Sequence, residues 1–165
     1  LSDVAGGPRR SPVPRRPAGF QVSNALNPIT KADGDQAVDD IRKLLGIDPK
    51  LNVAYAEVRV GLIVDEPIGV SGRKSPAGTA PTPPTRLFDT YQTPPGHYRG
   101  NDAEAKLLEA VARAIQPDAV ASECYPQHQG TVRLYSQFTI CPSCDGVLAA
   151  FRAMFPGIDL VASHG

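Results

Sequence analysis

TVRLYSQFTICPSCDGVLAAFRAMFPGIDLVA, residues 131–162, holds a strand, a helix and a second strand in one uninterrupted run. From Thr131 to Ile140, Val132, Leu134, Phe138 and Ile140 alternate with Thr131, Arg133, Tyr135 and Gln137, the period of two of a strand with unlike faces. From Pro142 the side chains of Cys144, Val147, Leu148, Phe151 and Phe155 fall on one helical stripe, which Pro156-Gly157 ends. Ile158–Ala162 then reads as a strand. The unit predicts a helical crossover between parallel strands.

Working outward, Asp102–Gln116 puts Leu108, Val111 and Ile115 on one stripe with Leu107 and Ala114 beside it, and Pro117 closes that helix. Val53–Val64 is rich in β-branched residues and predicts a first core strand, with Ala54, Ala56, Val58, Val60 and Leu62 on one face. A short second strand is expected around Arg86–Tyr91. Ala37, Val38, Ile41, Leu44 and Leu45 predict a helix over Asp35–Leu45, stopped by Gly46. Residues 66–84, crowded with Pro, Gly, Ser and Thr, read as a long irregular loop. From residue 53 the order is strand, strand, helix, strand, helix, strand, which implies a layered α/β sheet. No internal repeat is present.

Residues 1–28 carry many prolines, the pairs Arg9-Arg10 and Arg15-Arg16, and few large apolar side chains, so they predict a linker or arm whose arginines are solvated. The expected domain is residues 29–165. Leu1 in place of Met, and the low apolar content that follows, are expected of a piece released from a longer polypeptide. Basic and acidic side chains balance at 17 each in 165 residues, so any attraction to polyanions must be local. No apolar stretch approaches the roughly 18–20 residues of a membrane span, and the N-terminus lacks a signal-peptide pattern; no membrane insertion is expected. Three cysteines cannot all pair within one chain, and Cys141 and Cys144 stand in a C-x-x-C spacing that points to metal or redox chemistry.

Two helix starts carry the polar residues: Asn101-Asp102-Ala103-Glu104 and Cys141-Pro142-Ser143-Cys144. Cysteines at i and i+3 share one face of a first helical turn, where unpaired N–H groups and the macrodipole favour the thiolates that bind zinc. A zinc that activates water keeps about three protein ligands and one open position. Asp102 or a histidine could supply the third. Glu104 shares the stripe of Leu108, Val111 and Ile115, so its carboxylate is expected to face the core.

In order and type these residues resemble the cytidine deaminase superfamily, whose signature is a histidine, one residue, a catalytic glutamate, then a strand and a C-x-x-C helix start. More narrowly, Asn101–Leu108, Phe138-Thr139-Ile140, Cys141–Cys144 and Phe155–Ile158 look like the deaminase domains of bacterial polymorphic toxins, over roughly residues 50–165. The resemblance implies a three-layer sandwich with a mixed sheet of about five strands flanked by helices. It implies zinc (Zn2+) held by Asp102, Cys141 and Cys144, with Asp102 where the superfamily has histidine and His97 as the alternative. Glu104 would move the protons of cytosine deamination. Tyr98 and Tyr125 would stack, Arg99 would contact phosphate, and Thr139 would touch substrate. The implied partners are nucleic acid, single-stranded DNA before RNA, and a cognate immunity protein. The implied setting is secretion by the producing bacterium and action in the cytoplasm of a target cell.

Each motif also has a plainer reading. Asn101-x-x-Glu104 alone is a passable helix cap, and C-x-x-C alone fits a dithiol redox pair or half of a structural zinc site in a non-catalytic domain. Cys124, His128 and His164 read as structural.

Overall fold

Val53–Val60 (β1) is the strand on which the sheet is built. In the computed structural model, residues 26–88, 92–93, 97–98, 102–140 and 142–165 are described. The expected strand Val53–Val64 turns back on itself, because Gly61 adopts a left-handed φ of 57° and with Leu62 forms a two-residue hairpin loop. Val60 therefore faces Ile63, and Ile63–Asp65 (β2) runs antiparallel to β1. Leu62, expected on the core face, is fully exposed in that turn.

Ile68–Val70 (β3) lies inside the expected loop 66–84 and pairs with the start of β1, Val53 opposite Val70. Three residues are too few for alternation to register in a sequence. Gly130–Ser136 (β6) lies antiparallel along the other edge of β1, and Ile158–His164 (β7) lies parallel to β6. The order β2-β1-β6-β7, with β3 sharing the β1 edge, is a mixed five-stranded sheet. Only β6 and β7 have the expected parallel crossover, made by Pro142–Met154 (α3). The two-residue β1–β2 loop permits antiparallel pairing alone, and β3 follows β2 along the same edge of β1, antiparallel to it as well. Gln92–Thr93 (β4) and His97–Tyr98 (β5) form a separate antiparallel pair.

Lys31–Leu45 (α1) begins four residues earlier than expected because Thr30 caps it, its Oγ1 accepting the Asp33 N–H at 3.2 Å. This helix covers the sheet face of Val53, Tyr55, Val70 and Tyr135. Ala103–Ile115 (α2) and α3 cover the opposite face, that of Ala54, Ala56, Val58, Val132 and Leu134. The result is the three-layer α/β sandwich of a cytidine deaminase-like fold. Residues 103–109 of α2 are buried in succession, Glu104, Lys106 and Glu109 included. Leu107 and Leu108 are wholly inaccessible, a contribution of about 1.5–3 kcal/mol each.

Two further expected strands differ from the observed ones. Arg86–Phe88 is a bend, since the Leu87 and Phe88 N–H groups turn to Glu109 Oε1 at 2.7 and 3.3 Å; residues 89–91 lie outside the described residues. The strand expected to reach Ile140 stops at Ser136, because the Phe138 N–H leaves the sheet for the side chain of Asn52. Most of the expected arm, residues 1–28, lies outside the described residues. Among the described residues no helix is long and apolar enough to cross a membrane.

Candidate active site

The C-terminal end of β6, the N-terminal end of β1 and the first turns of α2 and α3 meet at one edge of the sheet. Ser136, the last residue of β6, stands opposite Ala54. Asn52 lies two residues before Ala54, so Asn52 and Ser136 belong by register to the same sheet face as Ala54, Ala56, Val132 and Leu134. In β1 and β6 that face is apolar up to this point, where it meets the start of α2.

Glu104, in the first turn of α2, is 3% exposed. Its Oε1 accepts hydrogen bonds from Ser136 Oγ and from Asn52 Nδ2, the latter at 3.1 Å. Asn52 Nδ2 also reaches Ser136 Oγ at 2.8 Å, while Asn52 Oδ1 accepts the Phe138 N–H at 3.0 Å. The backbone of Asn52 is held in turn by Ser71, whose Oγ accepts the Asn52 N–H at 2.8 Å and whose N–H donates to the Asn52 carbonyl at 3.0 Å. Burial pushes the Glu104 carboxyl above the ordinary carboxylate range; the Ser136 hydrogen bond opposes the rise and the nearby Asp102 charge adds to it.

Cys144, 1% exposed in the first turn of α3, points its sulfur at the same place. Its Sγ is 3.4 Å from Asp102 Oδ2 and 3.5 Å from Glu104 Oε2. Asp102 is the N-cap of α2 yet makes no side-chain capping bond, and the Glu104 carboxylate turns to β6 and Asn52, away from the cap. Asn101, the cap of the plainer reading, lies outside the described residues.

A pocket of about 190 Å³ opens over these groups, lined by Lys50, Asn52, Ser71, Asp102, Glu104, Phe138 and Thr139. A larger cavity of about 430 Å³, beside α3 and lined in part by Phe88, Cys124 and Met154, lacks a buried titratable group.

The donor set can be tested against zinc. A tetrahedral ion about 2.3 Å from sulfur and about 2.1 Å from carboxylate oxygen separates two such ligands by about 3.6 Å. The 3.4 Å between Cys144 Sγ and Asp102 Oδ2 fits that separation. Among the described residues no group of three metal-binding side chains is complete, and Cys141, the expected third ligand, lies outside them.

Of the residues singled out in the sequence, Asp102, Glu104 and Cys144 come together and Thr139 lines the pocket. Arg99 and the side chains of His97 and Tyr98 lie outside the described residues. Tyr125 is placed elsewhere, against the core: its ring packs on Phe155 at 6.0 Å and its hydroxyl accepts the Val120 N–H at 2.9 Å. Cys124 is exposed, His128 bonds Gln116 at 2.7 Å, and His164 is exposed; none belongs to the site. Sequence reasoning missed Lys50, Asn52, Ser71 and Ser136. For Asn52 and Ser136 a signal existed, a polar residue in the register of an otherwise apolar strand face. For Lys50 and Ser71 there was none.

Residues 87–164 match the family model described as Toxin-deaminase, the BURPS668_1122 family of deaminases. Neither the curated proteins nor the solved structures contain a match to this chain.

Proposed function

We propose that this chain, whose residues 87–164 belong to the toxin-deaminase family of the cytidine deaminase-like superfamily, is a zinc-dependent hydrolase converting cytosine to uracil in nucleic acid, single-stranded DNA before RNA. The observation that carries the reading is the convergence of a buried carboxyl and a buried thiol from two helix starts: Glu104 Oε2 and Asp102 Oδ2 both lie within 3.5 Å of Cys144 Sγ.

Asp102, Cys144 and Cys141 would hold the metal. Bound zinc supplies the charge that lowers the pKa of a water toward neutrality. Glu104 would take one proton from the attacking water and pass it to N3 of the base as the oxygen bonds to C4, then carry the second proton, from the new hydroxyl, to the amino group, which leaves as ammonia while the C4 carbonyl forms. At the mouth Phe138 is 43% exposed; with Thr139 and Lys50 it offers a ring face, a hydroxyl and a cation to a base and its phosphate. Tyr98 and Arg99 would add stacking and phosphate contacts. The pocket admits one base, so the substrate is a single strand or an extruded nucleotide.

The domain would act as the toxic end of a secreted effector in the cytoplasm of a rival cell, with an immunity protein covering this pocket in the producer. The test incubates the protein with a cytosine-containing DNA oligonucleotide, its RNA counterpart and free cytidine, and assays uracil beside Glu104→Gln. Turnover falling by roughly 10²–10⁴-fold in Glu104→Gln supports the reading; equal signals from both proteins remove it. Absence of bound zinc from an active protein would remove the metal.

A further inference from the structure

Glu104 could present either carboxylate oxygen to the pocket, and the groups around it do not treat the two alike. Oε1 receives two donors, Ser136 Oγ and Asn52 Nδ2, whereas Oε2 faces the Cys144 sulfur. The orientation of Asn52 is itself determined. The Phe138 backbone N–H can only donate, so the amide oxygen must face it at 3.0 Å, and the amide nitrogen is left to face Glu104 and Ser136. Ser136 then accepts from Asn52 and has its one proton for Glu104. Every polar atom of the Asn52 side chain is committed, in a residue only 9% exposed.

We infer that Asn52 and Ser136 are positioning residues that lock the plane of the Glu104 carboxylate, pinning Oε1 so that Oε2 alone is presented to the reacting groups. The inference rests on the deaminase reading of the site. Asn52 also acts on the backbone, since through Phe138 it fixes the point where the chain leaves β6 for the α3 start that bears Cys144. One carboxamide thus sets the distance between the proton-transferring oxygen and the sulfur. Ser71 holds the backbone of Asn52 from the other side. The polar side-chain atoms of Asn52 and Ser136 are spent on Glu104, on the Phe138 N–H and on each other, so their effect is expected in the chemical step more than in substrate affinity. Geometric errors near 1 Å at a reacting centre cost about 10²-fold in rate.

Two variants separate this role from simple support of the fold. Asn52→Asp keeps an acceptor for the Phe138 N–H but gives Glu104 no donor; Ser136→Ala removes one hydroxyl and little volume. Steady-state kinetics on a cytosine-containing single-stranded DNA oligonucleotide and its RNA counterpart, zinc content per chain and thermal midpoints are measured for both, for the double variant and for the wild type. The expected result is a kcat lower by about 10²-fold, with KM and zinc content unchanged. The double variant should lose no more than the worse single one, because both act through one oxygen. Wild-type kcat in folded Ser136→Ala overturns the inference, as does a loss of activity that follows loss of zinc or of the folded state in both variants. Absence of turnover by the wild type on either substrate would instead overturn the deaminase reading, and this inference with it.

Discussion

Lys106 Nζ lies 2.8 Å from the Val70 carbonyl oxygen, on a side chain with no exposed surface. Two residues beyond Glu104, the lysine leaves α2 in another direction and also reaches Ser75 Oγ at 3.1 Å and the Lys74 carbonyl at 3.4 Å. Burial lowers its pKa. Backbone and hydroxyl dipoles hold the charge and tie residues 70–75 to the site helix, with Ser71 among them.

Lys106→Met should therefore cost about 1–3 kcal/mol of stability, the usual effect of stranding buried acceptors. It should also weaken the Ser71 hold on Asn52. Urea denaturation gives the first effect and initial rates the second; full stability in this variant would mean that residues 70–75 need no such tether.

Glu109 makes a pH-dependent contribution of opposite sense to an ordinary surface carboxylate. Its Oε1 accepts the Leu87 and Phe88 N–H groups, while Oε2 has no hydrogen-bond partner and sits 3.9 Å from Arg113 Nη2. Burial raises its pKa above 4.5. The folded chain then holds the proton more tightly than the unfolded one, so this contribution is complete below pH 4.5 and is lost as pH rises through the folded value. Glu109→Gln keeps the acceptor for both N–H groups. Its urea midpoint should equal or exceed the wild type's at pH 7, with the advantage shrinking toward pH 4.5; the reverse trend would mean that the Arg113 pairing dominates.

Gly69→Ala should damage the site from behind. A Cβ at Gly69 would collide with the Ala103 carbonyl oxygen, between Asp102 and Glu104 in the chain. Backbone cannot yield as a side-chain tip can, so the first turn of α2 must shift, at about 1–3 kcal/mol. Thermal melts and kcat should fall together; loss of stability with full kcat would mean that the shift is absorbed in β3.

Cys144→Ala should lower zinc content from about one per chain to near zero, as expected when a site loses a thiolate ligand. Elemental analysis of the purified protein decides this. Cys124→Ala, at an exposed position remote from the pocket, should leave zinc content unchanged.

The parts of the fold that were legible share one property: their periodicity is long enough to be read. Thirteen residues of α2 carry a stripe that correctly turns Glu104 inward, and the β6–α3–β7 run announces itself through alternation, stripe and Pro156-Gly157. What was hidden is short or polar. The three residues of β3 vanish among prolines and glycines, and Gly61 in a β-branched run gives little hint that the strand folds back there. Ser136 stood unremarked between Leu134 and Phe138, although a hydroxyl in the register of a core strand requires a partner. Asn52, just outside a strand, continues the same register, but its side-chain partners are 52, 84 and 86 positions away, so the sequence could not say what it bonds.

Those separations bear on when the site forms. Contacts spanning 32 to 86 positions close only as the whole sheet closes. A fragment lacking β1, β6 or α2 cannot bring Glu104, Asn52 and Ser136 together. A chain kept extended lacks this arrangement, which comes into being only as the sheet is completed.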